Sequence, residues 1–218
     1  MPEAKAPDDT GAGRTERASS QMPSSASQSP RARPAGNEVY SPVARALHWL
    51  TVAFVAAMVP AGLIMTSRAE HNVWDGLTNA LYSSHKLAGV LLLTLVVVRL
   101  VYRFRHGAPP DEPTLAPWQK LVSHLTHWTI YVLLLAVPVL GWIGISLYPA
   151  LDIFGLFKLP GLVSPNQPVS STVFNLHKLG AFALVGLVGM HVGAALFHHF
   201  IRKDGVLRRM LPGLKRRD

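Results

Sequence analysis

Cysteine is absent from this 218-residue chain. Its absence excludes disulfides, iron–sulfur clusters, thiolate zinc sites, a cysteine nucleophile and covalent c-type haem attachment. Acidic residues are scarce too, with 12 Asp and Glu against 21 Lys and Arg, for a formal charge of +9. So basic a chain invites a nucleic-acid reading, but the excess lies just outside long apolar segments, in Arg99–Lys120 and Arg202–Arg217. There it reads as a membrane-topology signal that touches anionic lipid, and no nucleic-acid partner is expected.

Residues 1–37 contain no apolar run and are rich in Ser, Ala, Pro and Gly. Nothing in them offsets the entropy of ordering, so a disordered tail is expected. They also lack the apolar core and cleavage site of a secretory signal peptide. Ser41-Pro42 then opens the first element, pairing an N-cap serine with proline at the first helical position.

Four apolar segments follow, at about 44–65, 81–102, 121–147 and 174–201. Each approaches or exceeds the roughly 20 apolar residues that a bilayer-crossing helix needs. The first, third and fourth carry no Lys, Arg, Asp or Glu between Arg45 and Arg68, Lys120 and Asp152, or Lys178 and Arg202. A soluble bundle would show a polar stripe on each helix, and these show none. The expected fold is an all-α integral membrane four-helix bundle over about 38–213, with a basic tail at 202–218.

The second segment is weaker, because only 12 residues separate Lys86 from Arg99. That is about 18 Å of helix, so both charges need an interface or a partner inside the bundle. Basic residues in the connections set the orientation. Arg68 alone follows the first segment and Lys158 alone lies in the 148–173 loop, whereas Arg99, Arg103, Arg105 and Lys120 surround the middle connection. Both termini are predicted cytoplasmic, in a bacterial inner membrane, with the 66–83 and 148–173 loops periplasmic.

Ionisable residues inside membrane segments are functional candidates. Six of the ten histidines lie in or at the ends of the segments: His48, His85, His124, His127, His177 and His191. Without cysteine, and with few intramembrane carboxylates, paired imidazoles are the main metal-ligand chemistry. Two axial histidines per iron suit a low-spin b haem that transfers electrons. Depth assigns the pairs. His48 lies about 10 Å from the cytoplasmic start of its helix and His191 about 15 Å from the cytoplasmic end of its own. His85 and His177 each lie just inside a periplasmic start. His48 therefore shares one haem with His191, and His85 another with His177. Fourteen residues separate His177 from His191, about 21 Å along a helix and only about 40° around it.

An internal echo supports the second pair. Ser84-His85-Lys86-Leu87-Ala88-Gly89 parallels Leu176-His177-Lys178-Leu179-Gly180-Ala181. Lys86 and Lys178 are candidates for the propionates of the periplasmic haem, and Arg99 for those of the other. The plainer alternatives are snorkelling lysines and a topology-setting arginine. His124 and His127 compete with His48 as ligands, or contact a propionate or quinone.

Together these features resemble the prokaryotic cytochrome b561 family of four-helix dihaem proteins. The matching residues are Tyr40-Ser41-Pro42 through Leu47-His48-Trp49-Leu50, Ser84-His85-Lys86 and Arg99 to Arg103. They continue with His124 and His127 before Ile130-Tyr131, the Pro138 to Gly141 break, His177-Lys178-Leu179-Gly180, His191, His198-His199, and the Lys203-Asp204, Leu207 and Met210 tail. The resemblance implies two haem b groups held by His48, His85, His177 and His191, in an electron-transfer protein. Some members are similar to superoxide:ubiquinone oxidoreductases, which implies superoxide or another periplasmic donor and ubiquinone as acceptor. His198, His199 and Lys203 are then further candidates for quinone or propionate contact. A cytochrome subunit anchoring a membrane dehydrogenase or hydrogenase is the alternative. A haem-free transporter fits poorly, since the histidines lie at two discrete levels and acidic relay residues are missing.

Overall fold

The computed structural model describes residues 39–211. The predicted disordered tail over 1–37 and the basic residues Lys215, Arg216 and Arg217 lie outside them.

Four long helices account for most of the described chain: α1 (Pro42–Glu70), α2 (Gly76–His106), α3 (Pro117–Leu147) and α4 (Gln167–Phe197). Each begins before its apolar run. Hydropathy measures the stretch that suits hydrocarbon, whereas caps in the polar margin decide where a helix starts. Ser41 Oγ accepts from the Ala44 N–H at 3.2 Å, and Asp75 Oδ1 from the Thr78 N–H at 2.9 Å. The Thr78 N–H, and after it the Arg68 guanidinium, hold the exposed Asp75 carboxyl down to about 2. Beyond α4 the chain makes a π-helical turn, His198–Arg202, closed by Lys203 in the left-handed conformation.

Between α3 and α4 lies a small antiparallel hairpin, β1 (Asp152–Ile153) and β2 (Phe157–Lys158), turned through Phe154 and Gly155 at positive φ. Its anchor is Ile153, which is fully buried. Two-residue strands have no periodicity for a sequence pattern to reveal, so this element is new.

Helix α1 packs along α2, α2 along α3, and α3 along α4. Leu92, Val96, Tyr131, Leu134 and Leu184 form the buried core. At Gly144 of α3 an added methyl would lie 2.6 Å from the Phe174 ring of α4, so glycine is what lets that ring pack there. Outward-facing Leu63, Val98, Val132 and Leu179 are exposed along the bundle. All four helices are long and apolar enough to cross a membrane.

The described part of the basic tail is folded rather than free. Arg202 donates to the Thr114 carbonyl and Arg209 to that of Pro110. Trp49 Nε1 donates to the Met210 carbonyl at 3.0 Å, so both ends of the described chain meet at one end of the bundle. The hairpin occupies the other.

Candidate functional site

The four histidines of the two predicted pairs face one another in the expected combinations. At the hairpin end, the ring centres of His85 on α2 and His177 on α4 are 6.2 Å apart and their planes cross at 78°. At the end that carries both termini, His48 on α1 and His191 on α4 are 6.4 Å apart at 77°.

Each hairpin-end imidazole lies against a glycine of a neighbouring helix. A Cβ on Gly62 would sit 3.2 Å from His85 Cε1, and one on Gly141 would sit 3.1 Å from His177 Cε1 and Nδ1. The histidine reading did not single out these close approaches. A signal for them exists, since Pro60 shortly precedes Gly62 and Pro138 shortly precedes Gly141. His177 Nδ1–H donates to the Val137 carbonyl at 2.8 Å, which leaves the Nε2 lone pair free to ligate. His85 Nδ1 is buried and makes no close hydrogen bond, with the Met58 backbone as its polar neighbour.

The other end holds three imidazoles. Arg99 donates to His48 Nδ1 at 3.0 Å and lies over the Tyr131 ring, 5.2 Å from its centre. His127 donates from Nδ1 to the Ser123 carbonyl at 2.6 Å, and its ring centre is 5.0 Å from that of His191. Two rings ligating opposite sides of one metal, each nitrogen about 2 Å from it, have centres about 6 Å apart. The His48–His191 spacing meets that requirement, whereas His127 is too close to His191 to stand opposite it.

The remaining candidates are dispersed. Lys86 donates to the backbone carbonyls of Ala150, at 3.1 Å, and Asp152, so protein groups partner it and it ties the hairpin to α2. Lys178 is exposed. His124 pairs with Asp111 at 3.1 Å. His198 pairs with the buried Asp204 at 2.5 Å, His199 stacks edge-on against Phe200, and Lys203 caps the π-turn.

The family profile for prokaryotic cytochrome b561 matches residues 39–213. The chain belongs to that family. Over 174 residues it is 33% identical to cytochrome b561 homolog 1 of Escherichia coli K12, covering 78% of this chain and 94% of that protein. It is 31% identical over 175 residues to cytochrome b561 homolog 2 of the same organism, covering 80% and 92%. It is also 31% identical over 138 residues to the probable superoxide oxidase CybB of Yersinia pestis, covering 59% and 73%. As a member of the cytochrome b561 family with four spanning helices, it is a bacterial membrane protein that transfers electrons with haem b.

The residues present fit that cofactor. Among the described residues no three His, Asp or Glu side chains converge as a metal cage. The donors come instead as two facing pairs of imidazoles, which would hold the iron of a haem between them.

Proposed function

We propose that the protein holds two b haems, one between His85 and His177 and one between His48 and His191, and carries single electrons between a periplasmic donor and ubiquinone. The 6.2 Å and 6.4 Å ring spacings carry this reading. Each haem, when bound, supplies an iron that cycles between ferrous and ferric states without acid–base help.

The protein's own groups orient the ligands and shape access. The Val137 carbonyl turns His177, and Gly62 and Gly141 leave room for the rings. The Arg99 bond to His48 Nδ1 must open for that imidazole to offer Nε2 to a metal. Both termini are assigned to the cytoplasm, since Arg99, Arg103, Arg105 and Lys120 gather at that end while the far loops carry only Arg68 and Lys158. The hairpin end is then periplasmic. There the exposed Lys158 and Lys178 attract an anionic donor, and superoxide is the donor proposed. The balance is simple: two superoxide anions each lose one electron and leave as O2, and one ubiquinone takes both electrons with two protons from water. The resemblance to a probable superoxide oxidase supports this choice.

The test is superoxide-driven haem reduction in purified protein, with and without ubiquinone. The expected result is reduction without quinone and rapid reoxidation when it is added, with the reduction rate falling as salt screens the lysines. Reduction only in the presence of a co-purifying dehydrogenase would overturn the assignment. A second measurement separates the rivals at the cytoplasmic end. His48→Ala is expected to remove one haem, and His127→Ala to leave both; the reverse outcome would replace His48 by His127 as the ligand.

A further inference from the structure

The hairpin between α3 and α4 is seated on α2 at a defined depth. The Phe154 N–H donates to Ser83 Oγ at 3.1 Å. Lys86 donates to the Ala150 carbonyl at 3.1 Å and to that of Asp152, and the fully buried Ile153 packs β1 against α2. The charge-free stretch of α2 begins at the very next residue and covers 87–98. It is about 18 Å long, against roughly 30 Å for a hydrocarbon layer. The layer must extend past one end of that stretch or both, so the level of residues 83–86 lies at its edge or inside it.

The hairpin confines its charges to its base, where Asp152 stands opposite Lys158. The tip is Phe154-Gly155-Leu156-Phe157. Phe154, Leu156 and Phe157 are 47%, 81% and 48% exposed, an arrangement that costs free energy in water and gains it in an apolar surrounding.

The backbone of the tip carries a second, independent mark. Three successive N–H groups are bonded within the protein: Phe154 to Ser83 Oγ, Gly155 to Asp152 Oδ2 at 2.8 Å, and Leu156 to the Ile153 carbonyl at 2.9 Å. A tip in water can leave such donors to solvent, whereas one entering an apolar layer must satisfy them internally. The apolar outer surface of the helices also reaches this level. Leu63 follows Gly62, which lies against His85, and Leu179 lies just beyond His177; both are exposed.

We propose that the hairpin tip is an interfacial membrane anchor, with Leu156 and Phe157 at the boundary between headgroups and acyl chains. The seating is shallow, within the roughly 5–10 Å that interfacial elements penetrate. Lys86 holds the hairpin at that depth through the two carbonyls. A soluble protein partner fits less well. The depth places the tip beside lipid, and its three bonded N–H groups have nothing to offer an added strand.

The test uses the full haem-loaded chain in vesicles of phosphatidylethanolamine and phosphatidylglycerol. Since the chain has no cysteine, Leu156→Cys supplies a unique site for a nitroxide label. Relaxation of the label by oxygen, which concentrates in the bilayer, is compared with relaxation by the polar nickel complex NiEDDA, which stays in water. Oxygen is expected to be the more effective at 156, as at Val132→Cys on the exposed face of α3. The order should reverse at Glu70→Cys, at the exposed end of α1. Phe157→Cys repeats the measurement from β2, and haem content equal to that of the unaltered protein checks folding. NiEDDA at least as effective as oxygen at 156 overturns the proposal, because the tip then stands in water. A label shielded from both reagents, with the broadened spectrum of an immobilised nitroxide, overturns it as well, by showing that protein covers the tip.

Discussion

Replacement of His177 by alanine should lower the haem content from about two per chain to about one. His177 is the most completely oriented of the four histidines, with Nδ1–H on the Val137 carbonyl and Gly141 against the ring edge. That arrangement leaves Nε2 alone to ligate, on a ring whose centre is 6.2 Å from that of His85. Removing the ring leaves His85 facing a void on an apolar helix face, and among the described residues no third His, Asp or Glu converges there to substitute. The other pair lies fourteen residues further along α4, about 21 Å away, so it should be retained. The pyridine haemochrome assay reads the content, and a redox titration should lose one of two transitions. Full retention of both haems would remove His177 from the ligand set. Loss of both, with the chain still helical and monodisperse, would show that the pairs are not independent.

Gly141→Val should empty the same site without touching a ligand. Its Cβ would lie 3.1 Å from His177 Cε1 and Nδ1, closer than such atoms normally approach, and the two branch methyls would press further into the ring. The ring is expected to shift, weakening its bond to Val137. Intrinsic helix propensity runs the other way, because glycine is less favourable than most residues inside a helix. An effect on haem content therefore reports the collision and not a weakened helix. Gly62→Val should act similarly through His85, which would lie 3.2 Å from the new Cβ. The contrast is Gly186, which has open space around it, where Gly186→Ala should leave both haems in place. Equal haem content in Gly141→Val and the unaltered protein would show that the helices yield, and that the glycines do not set the ring positions.

The helices run longer than their apolar stretches, and at the starts of α1 and α2 the cause is capping. Hydropathy locates the hydrocarbon-facing stretch, whereas Ser41 and Asp75 cap the helices in the polar margin beyond it. The charges of the weak second segment show a different gap. Their need for partners is legible from the 12-residue interval, but the partners are not. Lys86 takes backbone carbonyls of a hairpin more than sixty residues away, and Arg99 takes His48 and the face of Tyr131.

Four spanning helices, the two levels of histidine and their pairing by depth follow from the chain alone. Apolar length and helical rise are local, one-dimensional quantities, and His177 and His191 share one rigid helix whose geometry is known in advance. Tertiary structure decided the matters that depend on how closely separate helices approach. It set His127 at 5.0 Å from His191 and His48 at 6.4 Å, a difference that no spacing along the chain contains. It also put Gly62 and Gly141 against the imidazoles and tied the 148–173 loop to α2 through Lys86 and Ser83. Such contacts join residues far apart in sequence, and only the packed bundle brings them within reach.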